Sequence, residues 1–168
     1  MSSPVRAVLA LGSNLGERSA TLTEAVAELV ADPAVKLCRV SRLVQTKPVG
    51  GPGEQPDFLN LVMEIETTLE PLDLLAWCQS VEQNHHRTRE VRWGARTLDV
   101  DVITYADVVS DDEVLTLPHP RAAERAFVLQ PWAWMDPEAT LGGRRVAELA
   151  AEAADLQGLD LYTADEDG

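Results

Sequence analysis

Between Val5 and Tyr105 the hydrophobic pattern changes period in a definite order, and that order limits the possible folds more than any other feature of the chain. Val5 to Leu11 is nearly all apolar and reads as a buried strand. Gly12-Ser-Asn-Leu-Gly16 breaks it. A helix is then expected from about Glu17 to Ala31, with Leu22, Val26, Leu29 and Val30 on one stripe, until Asp32-Pro33 stops it. Val35 to Thr46 reads as a second strand with imperfect alternation. Lys47 to Asp57 holds three prolines and three glycines and reads as a long loop. Leu59 to Leu69 sets Leu61, Met63 and Ile65 against Asn60, Glu64 and Glu66, the pattern of a strand with one wet face. Pro71 suits a first helical turn, and Leu74, Leu75, Cys78, Val81 and Glu82 follow at helical spacing to about His86. Thr88 to Ala95 is a polar, arginine-rich loop, and Thr97 to Tyr105 a further strand. The order β-α-β-β-α-β is that of a split-βαβ, ferredoxin-like sheet. Helices on both faces of such a mainly antiparallel sheet make a three-layer α+β fold.

The rest of the chain is less regular. Asp111 to Glu113 reads as a turn, Val114 to Leu117 as a short strand and Pro118-His-Pro120 as a rigid connector. Arg121 to Trp134 is expected to be part helix and part irregular. Arg145 to Ala154 reads as a closing helix, Leu159 to Tyr162 as a last strand, and Ala164 to Gly168 as a frayed acidic tail. The 168 residues favour a single domain spanning 1–168, with no repeat and no linker.

The charge balance excludes some functions. The net charge of -14, from 28 acids against 14 Lys and Arg, repels nucleic acid and anionic membranes. No apolar run reaches the length of a membrane span, and the N-terminus lacks the regions of a signal peptide. Cys38 and Cys78 are too few for a disulfide framework and are expected as buried free thiols. A cytoplasmic monomer is the resulting expectation.

Against that acidic background, Arg87, Arg89, Arg92 and Arg96 put four of the 14 cations into ten residues. Arginine suits phosphate oxygens. Just downstream, Asp99 and Asp101 stand two apart in an apolar strand, so they share a face with Cβ atoms about 7 Å apart. Alone, such a pair is equally a solvated strand face. Ile103 and Tyr105 share that face, however, and they do not suit solvent. Two acids on an apolar strand call for positive charge, and hard cations such as Mg²⁺ take carboxylate oxygens. Acids for a metal beside arginines for phosphate suggest nucleotide-dependent phosphoryl chemistry.

Other residues carry two readings each. Trp93 either caps a planar ligand or anchors its loop. Phe58 and Asn60 suit a flat heterocycle, one stacking and one pairing with its edge, or serve as a core aromatic and a strand-end amide. Gly12 to Gly16 follows a strand and precedes a helix, but it lacks the Walker lysine and reads better as a tight structural turn. His119 between two prolines is a rigid ligand contact or a structural histidine, and His85 and His86 read as surface residues favoured by the helix dipole.

Five ordered signatures, Leu11-Gly-Ser-Asn-Leu-Gly16, Gln55-Pro-Asp-Phe-Leu-Asn60, Arg92-Trp-Gly-Ala-Arg-Thr-Leu-Asp-Val-Asp101, Leu117-Pro-His-Pro120 and Arg125-Ala-Phe-Val128, carry a resemblance. The chain is similar to the hydroxymethyl-dihydropterin pyrophosphokinases of folate biosynthesis over roughly residues 5 to 155. The resemblance implies transfer of a diphosphoryl group from ATP to the hydroxymethyl oxygen of a dihydropterin, with release of AMP. It implies that Asp99 and Asp101 hold two Mg²⁺ ions, that Phe58 and Phe127 sandwich the pterin, and that Asn60 pairs with the ring edge. Backbone around Thr46, Pro48 and Val49 would complete that pocket. Gln79, Glu82, Arg87, Arg89, Arg96, Thr116, His119 and Arg125 match positions that contact ATP. Arg92 and Trp93 match a closing loop, with Arg92 acting in catalysis. The chain departs from the family pattern at Ala95, usually proline, at His86, commonly glycine, and at Val114, basic in some members. The competing readings are an Asp-x-Asp nucleotidyl- or glycosyltransferase, and a non-catalytic acidic interaction module.

Overall fold

The computed structural model describes residues 3–13, 18–46, 58–88, 98–154, 156 and 159–161; the side chains of Arg18, His86, Arg87, Thr88, Asp160 and Leu161 are outside that description. The elements in chain order are β1 (Val5–Ser13), α1 (Arg18–Leu29), β2 (Val35–Val40), β3 (Val44–Thr46), β4 (Phe58–Thr67), α2 (Pro71–Thr88) and β5 (Leu98–Tyr105). A short hairpin of β6 (Ser110–Asp111) and β7 (Thr116–Leu117), a 3₁₀ turn at Ala122–Glu124, α3 (Ala126–Met135), the hairpin β8 (Thr140–Leu141) and β9 (Arg144–Arg145), α4 (Val146–Glu152) and β10 (Leu159–Leu161) complete it.

Every pairing in the main sheet is antiparallel. The path is β10-β3-β4-β1-β5, with β2 also on β4. Because β2 and β3 lie along the same side of β4, the sheet has the strand order of a split-βαβ fold, with β1 and β4 at its centre. The single strand expected over 35–46 is two strands. At the break, Ser41 Oγ accepts the Val62 N–H and the Ser41 N–H reaches Val62 O, each at 2.8 Å, so β4 remains bonded where the neighbour bends.

Strand alternation gives the sheet two apolar faces, and helices cover both. Ala7, Leu9, Leu11, Leu61, Met63, Ile65, Leu98, Val100 and Val102 meet Leu22, Ala25 and Leu29 of α1 and Leu74, Cys78 and Val81 of α2. Val8, Ala10, Val62 and Ile103 meet Val128, Leu129, Trp132 and Ala133 of α3 and Val146 and Ala150 of α4. The face of β4 expected to be wet is therefore covered: Asn60 and Glu64 are buried. Glu64 tolerates this because Arg39 and Arg6 reach it at 3.1 and 3.5 Å, satisfying a carboxylate that would otherwise be costly to bury. Among the described residues no helix is long and apolar enough to cross a membrane.

Two residues of α2 reach the C-terminal end of α1. Trp77 Nε1 donates to Leu29 O at 3.0 Å, satisfying one of the last carbonyls of α1. His85, expected at the surface, is buried with Nε2 2.8 Å from Glu28 Oε1, an ion-pair distance off the line of a good hydrogen bond. The two cysteines also separate. Cys78 is buried, and burial pushes its thiol up to about 12. Cys38 is only half-buried, on the edge strand β2, and does not match the buried thiol expected there. Thiolate is the reactive form. A thiol-reactive dye is therefore expected to label Cys38 alone in the native protein and both cysteines in denaturant; faster native labelling of Cys78 would contradict this packing.

Candidate active site

The cavity lies over the half of the sheet where two small residues sit on the central strand. Gly12 is paired with Asn60 on one side and Asp99 on the other. One row along, Ala10 is paired with Val62 and Asp101. Neighbouring strands are about 4.8 Å apart, so an amide on β4 and two carboxylates on β5 face each other across a floor about 10 Å wide. Because Gly12 and Ala10 have almost no side chain, that floor stays open. Phe58 and Thr46 extend the β4 side, and Arg121, Arg125 and Phe127 complete the lining of a 540 Å³ cavity.

The face assignment of the acids was correct in part. Asp99 is exposed, Asp101 half-buried, and Ile103 continues the same face into the core against α3. Tyr105 is on the opposite face. The register against β1 slips at Val8/Leu9, leaving Ile103 as an extra residue, and a one-residue bulge reverses every side chain beyond it. Tyr105 instead packs with the α1–α2 face and donates to Leu69 O at 2.5 Å.

β5 is the sheet edge, so the amide between the two acids has no strand to pair with. Glu82 accepts the Val100 N–H at 2.7 Å. Burial pushes the Glu82 carboxyl up to about 7, Asp99 and Asp101 add to that rise, and the bond from Val100 opposes it. Glu82 thus holds the strand that presents the aspartates. On the far side of β5, the His119 N–H donates to Ile103 O at 2.9 Å. Burial lowers the His119 pKa, with Arg125 and Arg121 in the same sense and Asp101 opposing.

Of the residues singled out in the sequence, Thr46, Phe58, Asn60, Asp99, Asp101, Arg125 and Phe127 come together around the cavity. Asn60 Nδ2 donates to Thr46 Oγ1 at 3.2 Å, and the Arg125 guanidinium lies 5.5 Å over the Phe127 ring. Gln79 is exposed on α2, Thr116 bonds to Asp112 O on the β7 hairpin, and Glu82 and His119 hold β5; none of these four lines the cavity. Arg87 is in the last turn of α2 with its side chain undescribed. Pro48, Val49, Arg89, Arg92, Trp93, Ala95 and Arg96 lie outside the described residues. Val114 is exposed.

The sequence reading missed Ala10, Leu11, Gly12 and Arg121 as lining. The glycine was visible, but as a turn former. In fact β1 runs through Ser13, and Gly12 is not among the residues with positive φ. A Cβ on it would meet Asn60 Oδ1 at 2.5 Å, so close approach rather than a turn requires glycine there.

The donor set fits a hard cation. Two carboxylates share one face, and among the described residues no cluster of three or more ligating side chains forms. Mg²⁺ is commonly held by one or two carboxylates, with water and phosphate oxygens filling its shell.

The geometry agrees with the relationships of the chain. The family model of the 7,8-dihydro-6-hydroxymethylpterin-pyrophosphokinases (HPPK) matches residues 8–137. A 2-amino-4-hydroxy-6-hydroxymethyldihydropteridine pyrophosphokinase of Bacillus subtilis is 46% identical over 127 residues, 76% of this chain and 75% of that protein. The enzyme of the same name from Methylorubrum extorquens is 43% identical over 147 residues, 88% of this chain and 92% of that protein. Among solved structures, wild-type Plasmodium falciparum HPPK-DHPS with pterin and p-hydroxybenzoate superposes with a TM-score of 0.71 at 14% identity. It matches 96% of this chain, which spans 47% of the longer plasmodial one, and at that identity the likeness speaks for the fold. With the family model covering most of the chain and a relative 43% identical over 92% of its own length, the chain belongs to the 7,8-dihydro-6-hydroxymethylpterin-pyrophosphokinase family.

Proposed function

We infer that this protein transfers a diphosphoryl group from ATP to the hydroxymethyl group of 6-hydroxymethyl-7,8-dihydropterin, releasing AMP, in folate biosynthesis. The observation that carries the reading is the arrangement around the small-residue floor: an aromatic and amide wall for a flat heterocycle on one side, two carboxylates on the other, two arginines alongside. Phe58 and Phe127 stack on the pterin, and Asn60, held by Thr46, pairs with its edge. That seat points the hydroxymethyl oxygen toward Asp99 and Asp101. The oxygen attacks the β-phosphorus of ATP and gives up its proton, the bond from that phosphorus to the α-β bridging oxygen breaks, and AMP leaves. Asp99 and Asp101 would hold Mg²⁺, which supplies charge screening and a lower pKa for the attacking hydroxyl. No side-chain nucleophile is needed; the residues align the reactants and exclude water.

Gln79, Glu82, Arg87, Arg89, Arg96, Thr116, His119 and Arg125 belong on the ATP side in this reading, and Arg92 and Trp93 on a closing segment. For Glu82 and His119 the support is indirect, through the strand they hold. The reading keeps the protein a cytoplasmic monomer without nucleic-acid or membrane partners, which the charge of -14 favours.

The test is product analysis. With ATP, Mg²⁺ and hydroxymethyldihydropterin, AMP and pterin diphosphate are expected in equal amounts. Release of ADP or pyrophosphate would replace the reading with simple phosphoryl or nucleotidyl transfer, and absence of ATP binding would leave the interaction module. Phe58→Ala is expected to weaken pterin binding about tenfold through lost stacking, with nucleotide affinity unchanged. Calorimetry with each ligand separately checks it, and equal losses for both would place Phe58 outside the pterin seat.

A further inference from the structure

We propose that Arg121 is a further substrate-contacting residue, binding the diphosphoryl group as it passes from nucleotide to pterin. The inference rests on the function just inferred and deepens it. Arg121 lines the cavity together with Asp99 and Asp101. Its side chain is exposed, but its backbone is fixed. The Arg121 N–H donates to His119 Nδ1 at 3.2 Å, and Arg121 O accepts the Glu124 N–H at 3.0 Å. The same turn is bonded to β5 through His119 N–H and Ile103 O, two residues past Asp101. The guanidinium therefore starts from a mount attached to the strand that carries both acids.

Position together with charge distinguishes Arg121 from the surface arginines. Arg6 and Arg39 pair with Glu64, Arg144 with Glu152 and Arg145 with Glu138. Arg121 makes no ion pair among the described residues, in a chain of 28 acids; exposed Arg42 makes none either, but of the two only Arg121 lines the cavity. Arg125, the other cation of the lining, has its guanidinium over the Phe127 ring and already has a place on the ATP side. A planar guanidinium fork matches two phosphate oxygens. The pterin alcohol is neutral where it will be phosphorylated, whereas its diphosphate carries negative charge there. A cation at that place separates the two by charge and leaves recognition of the ring to Phe58, Phe127 and Asn60.

The experiment compares wild type, Arg121→Ala, Arg121→Lys and, as a control for general charge, Arg144→Ala. It measures kcat, both KM values, and the Kd of hydroxymethylpterin and of its diphosphate. Arg121→Ala is expected to lower kcat about 10- to 100-fold and to weaken the pterin diphosphate by a similar factor, the loss typical of a charge-assisted hydrogen bond. The Kd of the pterin alcohol stays within about twofold, because that ligand makes no charge contact. Arg121→Lys recovers part of the loss, and Arg144→Ala matches wild type. Parallel weakening of alcohol and diphosphate would make Arg121 a structural wall and overturn the proposal, as would an unchanged kcat. Wild-type turnover with normal Arg121→Ala kinetics removes this inference alone; a wild type that forms no AMP removes the underlying function as well.

Discussion

Asp99→Ala and Asp101→Ala are each expected to reduce turnover by at least about 10³-fold, the scale of losing several kcal/mol of cation-borne charge stabilisation. Neither substitution is expected to unfold the protein. Asp99 is exposed and Asp101 half-buried, so truncation leaves no cavity in the core. Removing one of two neighbouring like charges also relieves repulsion in the metal-free state. Steady-state kinetics at saturating Mg²⁺, paired with thermal denaturation, separates the two effects. Activity within tenfold of wild type in either variant would mean that the shared strand face is not the metal seat. A collapse in Tm would mean that the acids are structural.

Gly12→Ala is expected to weaken pterin binding by about 10- to 100-fold, the range for leaving buried polar groups unpaired, while ATP affinity is preserved. The added Cβ would lie 2.5 Å from Asn60 Oδ1, and Asn60 has little room to retreat because it is buried and bonded to Thr46. Its amide must rotate or shift, and the edge it offers to a heterocycle is lost. The fold tolerates the change, because Gly12 has no positive φ and a strand interior accepts alanine. Fluorescence or calorimetric titration with pterin, and separately with a non-hydrolysable ATP analogue, reads the outcome. Wild-type pterin affinity would mean that Asn60 does not read the ring.

Much of the architecture was legible because each element carries a local period. The apolar run of β1, the stripes of α1 and α2 and the alternation of β4 each need only their own residues to be recognised. What failed had long-range causes. The break that separates β2 from β3 is stabilised by Ser41 against Val62, a contact across strands. Glu64 reads as solvent-facing until two arginines distant in sequence cover it. Tyr105 follows strict alternation in the sequence, but a bulge at Ile103 turns it to the other face.

The site divides along the same line. The sequence alone determined the chemistry available: two acids in one strand, an aromatic and amide pair after a loop, and arginines in an acidic chain. It also determined their grouping within single strands, because alternation is a local property of extended backbone. Only the tertiary structure decided that Gly12 separates Asn60 from Asp99, that Ala10 continues the floor, and that Arg121 reaches the same cavity from a turn bonded to β5. Register and cross-strand neighbours depend on pairing between residues tens of positions apart. A glycine needed for closeness therefore looks, in the sequence, the same as a glycine needed for a turn.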